Sequence, residues 1–366
     1  MKKNIKVLHL ISSLEQGGAE RQLVELVKEN KNHAICQLIP GGFYEEELNN
    51  NQTIIFNLNI KKNSFNIMFL YKLYKIIKNY KPDIINTWMY HSSLLEVFLR
   101  KITFKNDIPL VWGLRCSNMD TSEYSLALKM IIKGCKYFSN VPNIIINNSL
   151  AGLKFHESIG FKNNNIVIHN GIDIKKFSAN NKLRIKLRNQ LKIDNHAKVL
   201  LCVGRFDPMK DHDTLLLAFK RIKKNYKSII LILAGLGTEN IKEQDGVIAL
   251  GGYKDINHVY AASDIIVSSS AFGEGFSNAI AEGMASSLIP IATQVGDAEY
   301  IIGKIGKIVK PRNVKALCEA IKEILELDDA VFYNKRILSK KRITDKFSKS
   351  RMIKAYNEVY NQLLEE

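Results

Sequence analysis

Arg205 and Lys210 stand five residues apart in "VGRFDPMKDHD", and Glu274 and Glu282 stand eight apart in "FGEGFSNAIAEGMASS". A planar guanidinium fork beside a mobile ammonium makes a clamp for a diphosphate. Two carboxylates accept hydrogen bonds from hydroxyl groups. Between the glutamates, Gly275, Phe276, Ser277, Asn278 and Ala279 read as a loop running into a helix. Ser277 is a good N-cap residue, so the helix is predicted to start there. Glu274 then lies in the loop and Glu282 in the second turn. The backbone N–H groups between them lack helical partners and favour a phosphate. Cations, an anion-binding helix start and hydroxyl acceptors together suit a ligand of the nucleotide-sugar kind. Arg205 and Lys210 are both expected to face solvent in the free protein.

The surrounding pattern must hold these groups at one end of a sheet. The run AKVLLCV precedes Gly204 and Arg205, which places them at the carboxyl end of a strand, where ligands of open α/β sheets bind. Apolar runs of four to seven residues alternate with amphipathic stretches along the whole chain, with Gly, Pro or Asn at the junctions. Residues 5–11, 83–88, 109–114 and 143–147 are predicted strands, and 19–30 a helix. A second series starts at 197, with AKVLLCVG, SIILILAG, GVIALGG, DIIVSSS and LIPIAT as predicted strands and predicted helices at 212–225, 256–263 and 277–287. Alternating strand and helix gives a parallel sheet covered on both faces. Two series joined near 170–196 imply two doubly wound domains with a cleft between them. The segment "DKFSKSRMIKAYNEVYNQLL" is predicted as one amphipathic helix carrying Phe347, Met352, Tyr356 and Tyr360, packed on the fold.

Other residues are less specific. Gly17 and Gly18 follow the first strand and open a helix, a place where a ligand can approach backbone closely or where the chain merely turns. Gly235 and Gly237 read as a tight strand-to-helix turn. His91 lies just past a strand end and is either structural or functional. Arg115 follows another strand and makes either a structural ion pair or a substrate contact. Asp211 and Asp213 sit at a helix start, where acids act as caps, and no His/Cys cluster has ligand spacing. No metal or other cofactor is therefore expected. No G-x-S-x-G elbow supports a Ser-His-Asp triad.

Composition narrows the class. The chain has 366 residues, 46% of them hydrophobic, which fits two globular domains. Its five cysteines form no CxxC pair and read as reduced thiols of a cytoplasmic protein. No apolar run reaches the length of a membrane span, and the start is not a secretory signal. The net charge of +17 points to nucleic acid, anionic lipid or phosphorylated substrates, or to compositional drift in a Lys-, Ile- and Asn-rich chain.

Taken together, the motifs resemble the family 4 retaining glycosyltransferases of the GT-B fold. The resemblance runs through "GGAE", "VIHNGIDIKKF", "VGRFDPMKDHDTLL", "AASDIIVSSSAFGEGFSNAIAEGMA" with its E-x7-E, "VGDAEYI" and "FSKSRMIKAYNEVY". "WMYHSSLLEVFLRK" with "WGLRCSN" looks like the branch that builds bacterial surface polysaccharides such as O-antigen and capsule. The resemblance implies Rossmann-like domains at 1–170 and 171–345, facing a central cleft, and a helix at 346–366 returning to the first. It gives Arg205 and Lys210 to the donor diphosphate, Glu282 to the ribose hydroxyls and Glu274 to the donor sugar. The N–H groups from Phe276 to Ala279 would meet phosphate or hydroxyls, with Gly204, Tyr253 and Gly275 also on the donor. Gly17 and Gly18 would close on the donor from the other domain. His91, counted with the catalytic set, and Arg115 would line the acceptor side. Asp297 replaces a frequent second glycine, and Ser277-Asn278 replace Gly-Leu, departures that bear on sugar choice.

The expected reaction passes a hexose or N-acetylhexosamine from a nucleotide sugar, a UDP-sugar, to a polyprenyl-diphosphate-linked glycan, with no metal. The enzyme would be cytoplasmic and peripheral on the inner face of the plasma membrane. An epimerase or phosphorylase of the same architecture would depend on inorganic phosphate or work without an acceptor. A nucleic-acid-binding protein would show basic residues interleaved with exposed aromatics and a steep salt dependence. For membrane docking, residues 65–81 give a helix with Phe65, Phe69, Leu73, Ile76 and Tyr80 on one face. That face either packs on the sheet or meets the bilayer. Lys72, Lys75 and Lys78 stay exposed in both cases and add to Lys61, Lys62 and Lys81.

Overall fold

Short apolar runs become strands here because a parallel sheet is buried on both faces and needs no alternation. The computed structural model describes residues 5–60, 68–103, 107–117, 126–162 and 164–365. Lys61, Lys62 and Phe65 lie outside these residues. The chain divides into unit 1, Met1–Asn170 with Met352–Glu366, and unit 2, Gly171–Arg351.

Unit 1 begins β1 (Val7–Ile11), α1 (Gly18–Lys28), β2 (His33–Gln37), α2 (Glu45–Asn50), β3 (Ile54–Asn57) and α3 (Met68–Tyr80). It continues β4 (Ile84–Trp88), α4 (Met89–Thr103), β5 (Leu110–Leu114), α5 (Leu126–Tyr137), β6 (Ile144–Asn147), α6 (Leu150–Ser158) and β7 (Asn165–Val167). The strands form one parallel sheet in the order β3-β2-β1-β4-β5-β6-β7. Strand order reverses between β1 and β4, the switch point where open α/β sheets bind ligands.

Unit 2 begins α7 (Asn181–Gln190), β8 (Lys198–Val203), α8 (His212–Lys223), β9 (Ile229–Ala234), β10 (Val247–Ala249) and α9 (Ile256–Ala262). Then come β11 (Ile265–Ser268), α10 (Asn278–Ala285), β12 (Ile289–Thr293), α11 (Ala298–Ile302), β13 (Lys307–Val309), α12 (Val314–Leu325) and α13 (Asp329–Phe347). Its sheet is parallel in the order β10-β9-β8-β11-β12-β13, with the reversal between β8 and β11.

The segment predicted as one helix is two. Ser348 has extended backbone, φ −67 and ψ 149, and separates α13 from α14 (Lys349–Glu365). The break lets Ser348 form a parallel bridge with Ile172, through Ile172 N–H to Phe347 O at 2.8 Å and Lys349 N–H to Ile172 O at 2.9 Å. Phe347 therefore packs in unit 2, 5.3 Å from Phe276 between ring centroids. Met352, Tyr356, Val359 and Tyr360 of α14 join the core of unit 1 with Leu23, Leu26, Trp88 and Ile146.

A buried ion cluster fixes the start of the unit 2 sheet. Asp264 accepts from Arg184 and Arg188, both at 2.8 Å, and from the Val199 N–H at 2.9 Å. Arg188 is fully buried and also donates to the Ala262 and Ala197 carbonyls at 2.9 and 3.0 Å. Removing one charge strands the other in a dry interior. Asp264→Asn is expected to lower stability by about 2–3 kcal/mol, seen as a lower urea midpoint at unchanged slope. An unaltered midpoint would show that the cluster holds nothing together.

Candidate functional site

The sequence places its cations at the carboxyl end of β8, and the fold puts them beside the loop leaving β11. After β8, Gly204 donates to Ala234 O at 2.9 Å and Phe206 to Leu236 O at 2.8 Å, so the turn after β9 braces this loop. Gly235 makes the approach possible: at φ +148, a Cβ there would lie 2.2 Å from the Gly204 carbonyl oxygen. The Asp207 carboxylate accepts from Met209 N–H at 2.9 Å and ties down a 3₁₀ turn, Pro208–Lys210. Asp211, at φ +48, caps α8 by accepting from Thr214 N–H at 3.2 Å. Asp213 stands in the first turn of α8. Among the described residues no group of three or more His, Cys, Asp or Glu is placed to hold a metal ion.

Two loops are then laced together. Ser269 Oγ donates to Lys210 O at 2.8 Å, and Ala271 N–H to Met209 O at 2.8 Å. The Lys210 ammonium donates to Glu274 Oε1, which also accepts from Ser270 Oγ at 2.8 Å. The two side chains are only 19% and 12% exposed, so Lys210 does not face solvent as expected from sequence. The reason is electrostatic: a carboxylate taken from water recruits the cation that compensates it. Arg205 does face outward, 64% exposed, with Asp207 Oδ2 at 3.3 Å from its Nε. Burial pulls the Glu274 carboxyl upward, but the Lys210 charge, the hydrogen bonds from Lys210 and Ser270, and the Arg205 charge outweigh it. Its pKa is held below the ordinary value, so Glu274 is an anion at neutral pH.

The backbone beneath Glu274 is propped from β12. Gly296, at φ +59, sits where a Cβ would be 2.4 Å from Glu274 O and 2.5 Å from Gly275 O. The next residue, Asp297, donates its N–H to Gly275 O at 3.0 Å. Ser277 is the N-cap of α10 by position, but its hydroxyl makes no capping bond. Phe276 is buried against Phe347 and anchors the loop. Glu282 lies in the second turn of α10, 3% exposed, and accepts from Tyr260 OH at 3.0 Å. Tyr253 lies in the loop after β10, half-buried against the core. Arg205, Lys210 and Glu274 are thus brought together, while Glu282 is turned inward to Tyr260.

In unit 1, Gly17 caps α1 with extended backbone, φ −149, and Gly18 is its first residue. Neither needs a left-handed conformation. Gly42 does, with φ +128, and a Cβ there would lie 2.6 Å from Leu14 O. It braces the loop that leads into Gly17. His91 is exposed in the first turn of α4, next to Met89, whose φ of +69 marks a strained entry from β4.

Arg115 is held inside unit 1. It is only 9% exposed, donates to Asn170 Oδ1 at 2.6 Å and to Tyr356 OH, and stacks 4.3 Å above the Trp88 ring. Among the described residues no carboxylate pairs with it, so the structural ion pair read from sequence is absent. Hydrogen bonds and stacking hold the guanidinium, and it ties α14 and the end of β7's loop to β5. Four residues went unrecognised from sequence: Ser270, Tyr260, Gly296 and Gly42. Only Gly296 carried a signal, as the glycine of "VGDAEYI" after an apolar run.

Comparison with known proteins gives the family and the fold. Residues 16–176 match the family model "Glycosyltransferase Family 4", and residues 197–327 match "Glycosyl transferases group 1". The capsular polysaccharide biosynthesis glycosyltransferase CapM of Staphylococcus aureus is 26% identical over 386 positions, covering 100% of this chain and 99% of CapM. An N-acetylgalactosaminyltransferase of Campylobacter jejuni, named for a diphospho-undecaprenol acceptor, is 27% identical over 173 residues, 44% of each chain. The crystal structure of HepE from Anabaena, in complex with UDP and glucose, superposes with a TM-score of 0.84 at 21% identity, covering 98% of this chain and 99% of that one. This chain belongs to the family 4 glycosyltransferases and has their GT-B fold.

Proposed function

We propose that this glycosyltransferase moves a hexose or N-acetylhexosamine from a UDP-sugar to a polyprenyl-diphosphate-linked surface glycan, with retention and without a metal ion. The observation that carries this reading is the Lys210–Glu274–Ser270 cluster beside outward-facing Arg205, at the β8/β11 switch point of unit 2. As the bond from the sugar carbon to the β-phosphate oxygen breaks, its electron pair goes to that oxygen. Fixed cations at the phosphate stabilise this charge. Arg205 and Lys210 supply them, and Glu274, which accepts from Lys210 and Ser270, also accepts from sugar hydroxyls. The acceptor oxygen bonds to the sugar carbon on the face the phosphate leaves, and its proton passes to the departing phosphate. No side-chain nucleophile is needed.

HepE, seen with UDP and glucose, supports the choice of nucleotide. CapM supports a surface polysaccharide, and the Campylobacter enzyme's name supports a polyprenyl-diphosphate acceptor. Such an acceptor stays in the bilayer, so the enzyme works as a peripheral protein on the cytoplasmic face of an anionic membrane. Among the described residues no helix is long and apolar enough to cross a membrane.

The test is thermal unfolding with a panel of UDP-, GDP- and ADP-sugars. A UDP-sugar at about a hundred times its Kd should add about 2.7 kcal/mol of stability. Protection by GDP- or ADP-sugars alone would reassign the donor, and protection by none would remove the reading. Product anomers read by NMR decide retention. Activity is expected to survive EDTA, because cations already stand at the phosphate. Loss in EDTA restored by Mn²⁺ or Mg²⁺ would return Asp211 and Asp213 to a metal site.

A further inference from the structure

A helix that covers a sheet keeps its apolar side inward and its charges outward. In unit 1, α5 does both, but it also carries apolar side chains on its outer face. Ile132 and Cys135 are buried in the core, yet Leu126, Met130 and Tyr137 point out, 80%, 70% and 79% exposed. Steps of four and seven residues put these three on one stripe. Lys129, Lys133 and Lys136 flank it, and α5 contains no acidic residue. The neighbouring α4 extends the stripe with exposed Phe98 and Ile102. Phe98 meets Phe138 at 6.0 Å between ring centroids, and Phe138 meets Tyr137 at 4.9 Å. Where α5 ends, Lys133, Lys136, Tyr137, Gly160 and Lys162 line a cavity of about 400 Å³. Gly160, at φ +94, leaves room for Lys136, whose Cε is 3.0 Å from where a Cβ would be.

We propose that this α4–α5 face docks unit 1 on an anionic lipid bilayer. Leu126, Met130, Tyr137 and Ile102 enter the interfacial layer, and Lys133, Lys136 and Lys162 meet lipid phosphates. The inference deepens the reading of a membrane-held acceptor and rests on it. Charge selects the bilayer over a second copy of the chain, since a patch whose charges are lysines repels its own image across a two-fold interface. It also moves the contact away from the helix expected from sequence. In α3, Leu70 and Leu73 pack inward, Lys72 donates to Leu58 O at 3.5 Å, and Lys75 lies over the Tyr71 ring at 4.6 Å. That leaves α3 with Met68 and Tyr71 as its exposed apolar side chains, and no continuing stripe.

The experiment is co-sedimentation with phosphatidylcholine vesicles, with and without phosphatidylglycerol. The wild-type protein should pellet with the anionic vesicles at low salt and much less at about 0.5 M NaCl, where the Debye length is near 4 Å. Lys133→Glu, Lys136→Glu and Lys162→Glu together should weaken partitioning by roughly 100-fold. Leu126→Ser with Met130→Ser should weaken it by roughly tenfold or more. The triple Lys72→Glu, Lys75→Glu, Lys78→Glu should change it much less. All these variants should keep the wild-type response to UDP-sugars in thermal unfolding, which reports folding and the donor site. A wild-type protein protected by a UDP-sugar that ignores anionic vesicles overturns the docking face and leaves the donor reading standing. One that pellets without any donor protection does the reverse. Equal binding to neutral vesicles, or loss of binding only in the α3 triple, overturns the assignment. So does a wild-type dimer that the α5 variants make monomeric, with no vesicle binding.

Discussion

Lys210→Ala is expected to lower kcat/KM by roughly 10²–10³, because one fixed donor at a developing charge contributes about 3–4 kcal/mol. The structure adds a second consequence. Glu274 is 12% exposed and loses its cation, so the folded protein should also lose about 1–3 kcal/mol of stability. The sign with pH then changes. In the wild type the folded pKa of Glu274 lies below its unfolded value, so its contribution is present above the unfolded pKa and is lost as pH falls through the folded one. In the variant the cation that opposed the upward pull of burial is gone, and acid favours the variant relative to wild type. Adding Glu274→Gln to Lys210→Ala should return the stability and leave the activity low. Steady-state kinetics and thermal unfolding at two pH values read both effects. Wild-type turnover from Lys210→Ala would sink the clamp.

Acid should loosen unit 1 between about pH 6.5 and 4, independently of the carboxylates. Trp88 Nε1 donates to His9 Nδ1 at 3.1 Å, so neutral His9 carries its proton on Nε2 and donates to His33 Nδ1 at 3.0 Å. A second proton on His9 would set two N–H groups against each other. Burial pushes His33 down to about 4, and burial then His33 itself push His9 well below its ordinary value. Burial also lowers His156, beside Tyr90 OH at 2.7 Å, to about 4. The unfolded chain binds protons from about pH 6.5 downward, and folded His33 and His156 only near 4, so stability falls with pH across that window. His33 and His156 each account for about 3 kcal/mol of the loss. The readout is built in: the chain has two tryptophans, Trp88 and Trp112, and both are fully buried in unit 1. A denaturant midpoint followed by tryptophan fluorescence should drop between pH 6.5 and 4.5, and drop less in a His33→Gln, His156→Gln protein. A flat midpoint would show that the histidines do not enter the folded state neutral.

The sequence made the sheets legible because fully buried parallel strands are short apolar runs, and β4, β5, β6, β8, β9, β11 and β12 all fall on predicted ones. β2 was harder, since buried His33 and Gln37 interrupt its apolar pattern. The cations and both glutamates were legible as motifs, but their pairing was not. Nothing in residue spacing says that Lys210 reaches across two loops to Glu274, or that Glu282 turns to Tyr260. The ion pair read for Arg115 failed for the same reason. Its partners, Asn170 and Tyr356, lie 55 and 241 positions away. The break at Ser348 was hidden because no Pro or Gly marks it; the bridge to Ile172, a long-range pairing, decides it.

The interleaving of the units bears on how the protein is made. Unit 2 is continuous from Gly171 to Arg351, but unit 1 needs Met352, Tyr356, Val359 and Tyr360 to close its core. Tyr356 also receives the Arg115 bond, and Tyr360 OH donates to Asn86 Oδ1 at 2.9 Å. The ribosome delivers residue 352 only 182 residues after 170, roughly 10–40 s later at ordinary translation rates. For that interval the first unit synthesised waits with an open apolar flank, and the second can finish before it. Birth order and completion order are inverted, and the nascent first unit is the species a holding chaperone would find.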